Sequence, residues 1–352
     1  MDEYIILMIK VFKLRELIKY FIIVVICIVA LQLVKIPIRW VKNENCIKRE
    51  LPCIEQEEKN KDWKMAMIER ELPKLNLELN QELNQVKQEV VEEKQEEVVH
   101  PKDNVNVEVI KNSVNPRSTN EYKGVQINNS TDYQLSEELL NPDGLQVNKN
   151  KILIYHTHTC ESYTKTELNN YTESGSFRSL DLNYSVAKVG DELEKQFTSY
   201  GHNVIHDKTY HDYPAYNGSY SRSLKTAEKI IKENKDIEIS IDLHRDAIAD
   251  SSYAPKVKIG DEYVSQLMFV IGSDKVNKNH KDWDKNLKFA IKVQQKANEL
   301  YPGLFKPIIL RNSEYNQHIS KAACIIEVGA TGNTLEESVS AMKYLAKIIE
   351  AI

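Results

Sequence analysis

From Lys151 to its end the chain alternates short apolar runs with longer amphipathic stretches, and that alternation leaves few folds open. KILIYHT at 151–157 reads as a buried strand, 183–200 as a helix and NVIHD at 203–207 as the next strand. A helix is expected over 222–233, then a strand at 237–244 (IEISIDLH) and another at 267–272 (LMFVIG). A long helix from about 283 to 301 follows, then strands PIIL at 307–310 and ACIIEVG at 323–329, and a closing helix over 334–351. Helices between consecutive strands call for an α/β domain, a three-layer sandwich around a largely parallel sheet. In such sheets functional groups collect at the carboxyl ends of the strands.

Three expected strand ends carry residue types that bind metals. His156-Thr-His158-Thr-Cys-Glu161 follows the first strand, Asp242-Leu-His244-Arg245-Asp246 the third, and Glu327 ends ACIIE. A zinc hydrolase needs three nitrogen or oxygen ligands, an open position, and a separate carboxylate to take a proton from water. His158, Glu161 and His244 supply such a set, with Glu327 as the base. Asp181, ahead of the expected 183–200 helix, is the alternative third ligand. His156 reads as a hydrogen-bonded structural histidine, and Asp242 and Asp246 as groups that orient His244. Arg245 is the cation of the constellation, either a holder of a substrate carboxylate or oxyanion or a member of an ordinary ion pair. Cys160 and Cys324 adjoin these residues, but a thiol nucleophile needs a positioned histidine.

Composition excludes other classes. With 47 Lys+Arg against 52 Asp+Glu the formal charge is -5, which argues against a nucleic-acid-binding protein. The five cysteines show no C-x-x-C pair, so a cysteine-based metal site is out, and neither G-x-G-x-x-G nor a Walker A run occurs.

The amino-terminal part has a different character. YFIIVVICIVALQLV at 20–34 is 15 residues without a charge, bracketed by Lys19 and Lys35. Extended to about 17–38 with its lysines snorkelling, it suits a single transmembrane anchor within a segment 1–42. A cleaved signal peptide is the rival, but Lys35-Ile-Pro-Ile-Arg-Trp offers no small-residue cleavage site. Basic residues lie on both sides of the span, so charge does not set its orientation. Residues 43–121 are rich in Glu, Gln and Lys and read as a mostly disordered linker, a short coiled coil being the alternative. The catalytic α/β domain is expected over 122–352.

Seven motifs in order, HTHTCES at 156–162, NYSVAKVGDEL at 183–193, IDLHRDA at 241–247, FVIG at 269–272, YPGL at 301–304, YNQ at 315–317 and EVG..GNT.EE at 327–337, resemble the stage II sporulation protein P family over about 150–352. The resemblance implies a phosphorylase/hydrolase-like zinc amidase fold. It implies a membrane-anchored peptidoglycan hydrolase of endospore formers, with N-acetylmuramoyl-L-alanine amidase activity and endopeptidase activity on cross-links. The family's essential His, His and Glu fall on His158, His244 and Glu327; where some members have a histidine, this chain has Asp181, so the third ligand stays open. It further implies zinc as cofactor, stage II sporulation proteins D and M as partners, and a single-pass membrane location with the catalytic domain outside the cytoplasm. A linker of roughly 80 flexible residues has an r.m.s. reach of about 50 Å, enough to let a tethered domain reach the wall. The competing classes are a zinc carboxypeptidase-like peptidase and a non-catalytic sporulation scaffold.

Overall fold

A computed structural model describes residues 100–101, 105–110, 117–276, 278 and 280–352. The expected anchor at 17–38 and most of the linker lie outside the described residues. Among the described residues no helix is long and apolar enough to cross a membrane.

In chain order the elements are β1 (Val107–Val109), β2 (Asn120–Tyr122), β3 (Val125–Asn129), α1 (Glu137–Leu140), β4 (Lys151–Tyr155), α2 (Val186–Ser199), β5 (Asn203–His206), α3 (Ser219–Glu233) and β6 (Ile239–Asp246). There follow β7 (Lys256–Ile259), β8 (Glu262–Ser265), β9 (Leu267–Gly272), α4 (Trp283–Leu300), β10 (Ile308–Arg311), β11 (Ala322–Ala330) and α5 (Leu335–Glu350). Eight strands form one sheet in the order β2-β3-β10-β9-β11-β6-β4-β5. The pairings β3–β10, β10–β9, β11–β6, β6–β4 and β4–β5 are parallel, whereas β9–β11 and β2–β3 are antiparallel.

The central strands read as continuous apolar runs because they are covered on both faces. On one face Ile152, Ile154, Ile241, Leu243, Phe269 and Ile326 join the apolar stripes of α2, α4 and α5 in the main core. On the other, Leu153 and Tyr155 pack with Ala227, Ile230 and Ile231 of α3. The three-layer, largely parallel expectation therefore describes the sheet and its helices.

The sequence reading left out β1, β2, β3, β7 and β8. β1, β7 and β8 form a separate three-stranded sheet, with β1 antiparallel to β7 so that Val107 faces Ile259. Strand pairing thus begins inside the segment 43–121 read as linker, and β2 straddles the boundary drawn at 121/122. Helix α2 starts three residues later than expected, because Asp181 and Ser185 cap two successive elements: a 3-10 turn at Leu182–Tyr184, then α2 itself.

Strand β11 ends in a bulge. Its register against β6 shifts between Glu327 and Ala330, and Gly329 sits there with φ +65 in the left-handed region. Asn333 holds the turn, its Oδ1 accepting from the Ala330 N–H at 2.8 Å and its Nδ2 donating to Glu337 Oε2 at 2.9 Å. Thr334 and Glu337 then form a capping box at the start of α5. The EVG..GNT.EE motif is accordingly one device that ends a strand, turns and starts a helix.

Ile241 is fully buried in β6, the strand that carries His244 between β4 and β11. Ile241→Ala is expected to lower the unfolding free energy by about 2–5 kcal/mol, read from urea denaturation, because close-packed strands on both sides limit collapse of the cavity.

Candidate functional site

Parallel neighbours β4, β6 and β11 end together, and their ends bring the predicted residues into one region. Glu327 of β11 is directly opposite His244 of β6 in the register. His158 follows β4, and its ring lies 5.3 Å from that of His244, edge to face. Glu161, one turn further, places Oε2 3.7 Å from His244 Nδ1 and accepts from the Arg245 N–H at 3.1 Å. All but Glu327, which is partly exposed, are buried.

Asp242 sets the frame. It is buried, and its Oδ1 accepts from the Thr157 N–H at 2.7 Å while Oδ2 accepts from Thr157 Oγ1 at 2.6 Å. His244 Nε2 lies 2.8 Å from Asp242 Oδ1, a close ionic contact off the line of a hydrogen bond. With Nε2 turned to Asp242, the other ring nitrogen of His244 faces Glu161, the arrangement by which a carboxylate orients a metal-binding imidazole.

His158 is held by a residue that sequence reasoning did not single out. The Tyr216 ring stacks on it with centroids 4.4 Å apart, and the Tyr216 hydroxyl is 3.1 Å from Nε2. His158 Nδ1 has no hydrogen-bond partner and is 3.9 Å from Asp212 Oδ2. Asp212 is itself buried and paired with Arg178. Tyr216 and Asp212 belong to the segment between β5 and α3, which has no hydrophobic period to place it from sequence.

The other candidates fall as follows. Asp181 is exposed and its carboxylate accepts from the Asn183 N–H at 3.0 Å, which commits it to capping. Arg245 is buried and donates to Thr331 Oγ1 at 2.8 Å and to the carbonyls of Asp246 and Phe177, leaving Nε without a partner. Asp246 pairs with Lys306 at 3.2 Å and does not orient His244. His156 has no exposure and spends both ring nitrogens on hydrogen bonds, with Leu243 O and His206 Nε2, each at 2.8 Å. Burial pushes the Cys160 thiol up to about 12 and the Cys324 thiol well above its usual range, which leaves neither available as a nucleophile.

Two clefts open on this region. One of about 320 Å³ is lined by Glu327, Tyr220, Tyr253, Lys306 and Arg311. The other, about 270 Å³, is lined by Glu161, Arg178, Tyr216, Arg245 and Thr331. Each cleft is lined by both carboxylates and cations.

The charge balance bears on a metal. Asp242, Glu161 and Glu327 all act on His244, and the first two on His158 as well, while Arg245 turns its guanidinium to Thr331 and to carbonyls. Burial opposes charge on His244, yet these three carboxylates hold it up at about 10. Burial pushes Glu327 up to about 8, against the pull of His244, and Glu327 Oε2 is enclosed without a partner. Burial also pushes His158 down, toward the neutral form a metal needs. The nitrogen and carboxylate donors gathered here are those zinc takes, so the residues fit a zinc ion. They are not drawn tightly together: among the described residues, the one trio with ligand atoms within 4.8 Å of one another is Asp191, Glu194 and His206.

The class defined so far is an α/β domain with a buried histidine–carboxylate centre at the ends of parallel strands. The model of the Stage II sporulation protein P family matches residues 42–350, and the chain belongs to that family. It is 29% identical over 202 residues to Stage II sporulation protein P of Bacillus subtilis (strain 168), covering 54% of this chain and 47% of that protein. The chain thus spans about half the length of the curated relative it matches. Among solved structures it is similar to the CwlD amidase from Clostridioides difficile in complex with the GerS lipoprotein, at 16% identity and TM-score 0.34, over 58% of this chain and 100% of that one. It is likewise similar to the N-acetylmuramyl-L-alanine amidase Ami1 from Mycobacterium smegmatis, at 11% identity and TM-score 0.35, over 60% and 97%.

The pKa directions give a test in metal-free protein. His244 and Glu327 both sit above their ordinary values of 6.5 and 4.5, so the folded state holds protons that the unfolded state releases. Stability from the raised His244 is full below about pH 6.5 and is lost as pH rises toward about 10. Urea unfolding in chelator is expected to show that decline, and Asp242→Asn to flatten it. Saturating zinc should abolish it, because the cation replaces the protons.

Proposed function

We propose that this chain is a zinc-dependent hydrolase of peptidoglycan that cleaves the N-acetylmuramoyl-L-alanine amide bond and, in addition, peptide cross-links. The observation that carries the reading is the convergence of His158, Glu161, His244 and Glu327 at the ends of three adjacent parallel strands between two clefts. Membership of a sporulation family supports it.

His158, Glu161 and His244 would hold the zinc. A zinc ion there supplies Lewis-acid polarisation of the scissile carbonyl. Asp242 fixes the His244 ring and Tyr216 the His158 ring, so neither imidazole has to reorganise during reaction. Glu327 is the proton carrier: its enclosed Oε2 accepts a proton from the attacking water and then delivers it to the departing amine nitrogen. Lys306 and Arg311 on one side, with Arg178 and Arg245 on the other, bind carboxylates of the stem peptides and position the amide. We further propose that residues about 17–38 anchor the chain uncleaved, with the catalytic domain outside the cytoplasm beside stage II sporulation proteins D and M.

Two measurements on one preparation test the chemistry. Glu327→Gln in the full chain is expected to reduce release of stem peptides from purified peptidoglycan by about 10² to 10⁴ while zinc content is unchanged. Loss of the metal would make Glu327 a ligand, and full activity would remove it from the mechanism. Zinc retained at wild-type occupancy in a His158→Ala/His244→Ala variant would refute the ligand set. Stem peptides bearing a free L-alanine amine identify the amidase reaction and exclude a carboxypeptidase-like one.

For the anchor, amino-terminal sequencing of the membrane fraction should find a start before residue 35. A mature start beyond that position would contradict an uncleaved span.

A further inference from the structure

We infer that Asp191, Glu194 and His206 form a second site for a divalent transition-metal cation, separate from the strand-end centre, where α2 faces the edge strand β5. His206 Nδ1 lies 3.3 Å from Asp191 Oδ1 and 3.3 Å from Glu194 Oε2, and the His206 side chain is 1% exposed. Asp191 and Glu194 are three apart on α2, so both carboxylates project from one side of the helix toward the histidine.

Hydrogen bonding at the other side of the ring commits Nε2 to His156 and so fixes Nδ1 as the nitrogen that faces the carboxylates. His156 Nδ1 is 2.8 Å from Leu243 O, and a carbonyl only accepts, so that nitrogen carries a proton. His156 is fully buried with no carboxylate in hydrogen-bond contact, which makes it neutral and its Nε2 an acceptor. The 2.8 Å contact between the two Nε2 atoms is then donated by His206. His206 Nδ1 faces the two carboxylates, within hydrogen-bond reach of Glu194 Oε2 at 3.3 Å, so the three groups are held together by a proton on that nitrogen or by a cation between them.

The spacing favours a metal over a proton. Charge-assisted N–H···O bonds are about 2.7–2.9 Å long. Two donors each about 2.0–2.2 Å from a tetrahedral zinc are about 3.3–3.5 Å apart. Both observed separations match the second figure. The chain from His206 through His156 to a carbonyl is also the support usual behind a metal-bound imidazole. Lys208 Nζ, 2.9 Å from Asp191 Oδ1 and on a 44% exposed side chain, competes for the same oxygen and can swing away. A cation here pins α2 to β5 and, through His156, steadies the Leu243 carbonyl next to His244.

The test counts zinc on the full chain, stripped with chelator and then dialysed to equilibrium against zinc. Asp191→Asn/Glu194→Gln alters only partly exposed helix positions, and circular dichroism checks that the fold is kept. This variant is expected to bind one zinc fewer than wild type, and Lys208→Met to bind the second zinc about tenfold more tightly, since a competing charge is gone. In a His158→Ala/His244→Ala background one zinc should remain and should vanish on adding Asp191→Asn/Glu194→Gln. If the helix variant binds as much zinc as its parent in both backgrounds, a proton occupies His206 Nδ1 and the second site does not exist. If wild type binds a single zinc, lost with the helix variant but kept without His158 and His244, the second site stands and zinc at the strand ends falls.

Discussion

Asp242 is a carboxylate with almost no solvent access that accepts two hydrogen bonds from Thr157, on the neighbouring strand's exit, and touches His244 on its own strand. Taking an ionised carboxylate out of water costs several kcal/mol. Hydrogen bonds to a charged group return about 1.5–3 kcal/mol each, so the two from Thr157 nearly offset that cost and His244 supplies the remainder. The consequence is positional. The turn carrying His158 and Glu161 leaves β4 at Thr157, so its path is fixed relative to β6 by the same carboxylate that aims the His244 ring.

The bulge in β11 does the complementary job from the other side. An unbroken parallel ladder would continue to alternate side chains past Glu327; instead Gly329 adopts φ +65 and the chain turns into the Asn333 loop and α5. Glu327 is therefore the last residue of regular pairing opposite His244, next to the larger cleft and against a buried, acid-rich centre. Its raised carboxyl follows from that placement: burial and the like charges of Asp246 and Glu161 outweigh the attraction of His244.

Much of this was legible in the sequence because it rests on strong signals. Strands β4, β6, β9 and β11 are apolar runs buried on both faces, and polar residues that interrupt such runs at their carboxyl ends stand out. Legibility failed where partners are distant or period is absent. Val107 pairs with Ile259, so a three-residue strand owes its existence to a segment far along the chain. Tyr216, Asp212 and Arg178 reach the site from irregular segments and carry no pattern. Asp191 and Glu194 carry no signal within the helix expected over 183–200; only the fold brings His206 against them. Asp181 was weighed as a ligand from its position before α2, which is equally the position of a cap, and capping won.

The HTH motif divides its two histidines between two tasks, and Gly190 shows why the division is strict. Strand pairing of β4 stops at Tyr155, so His156 and His158 do not share a face as residues two apart in a strand would. His158 goes to His244 and Tyr216, while His156 turns under α2 to meet His206. At the crossing, a Cβ on residue 190 would come 2.5 Å from His206 Nε2 and 2.9 Å from His156 Nε2. Both rings are pinned, one by Leu243 O and the other between His156 and the α2 carboxylates, so neither can yield to a side chain. Helix α2 approaches β4 and β5 this closely because residue 190 is glycine, and the helix is thereby seated on the hydrogen-bond chain that ends one residue before His244.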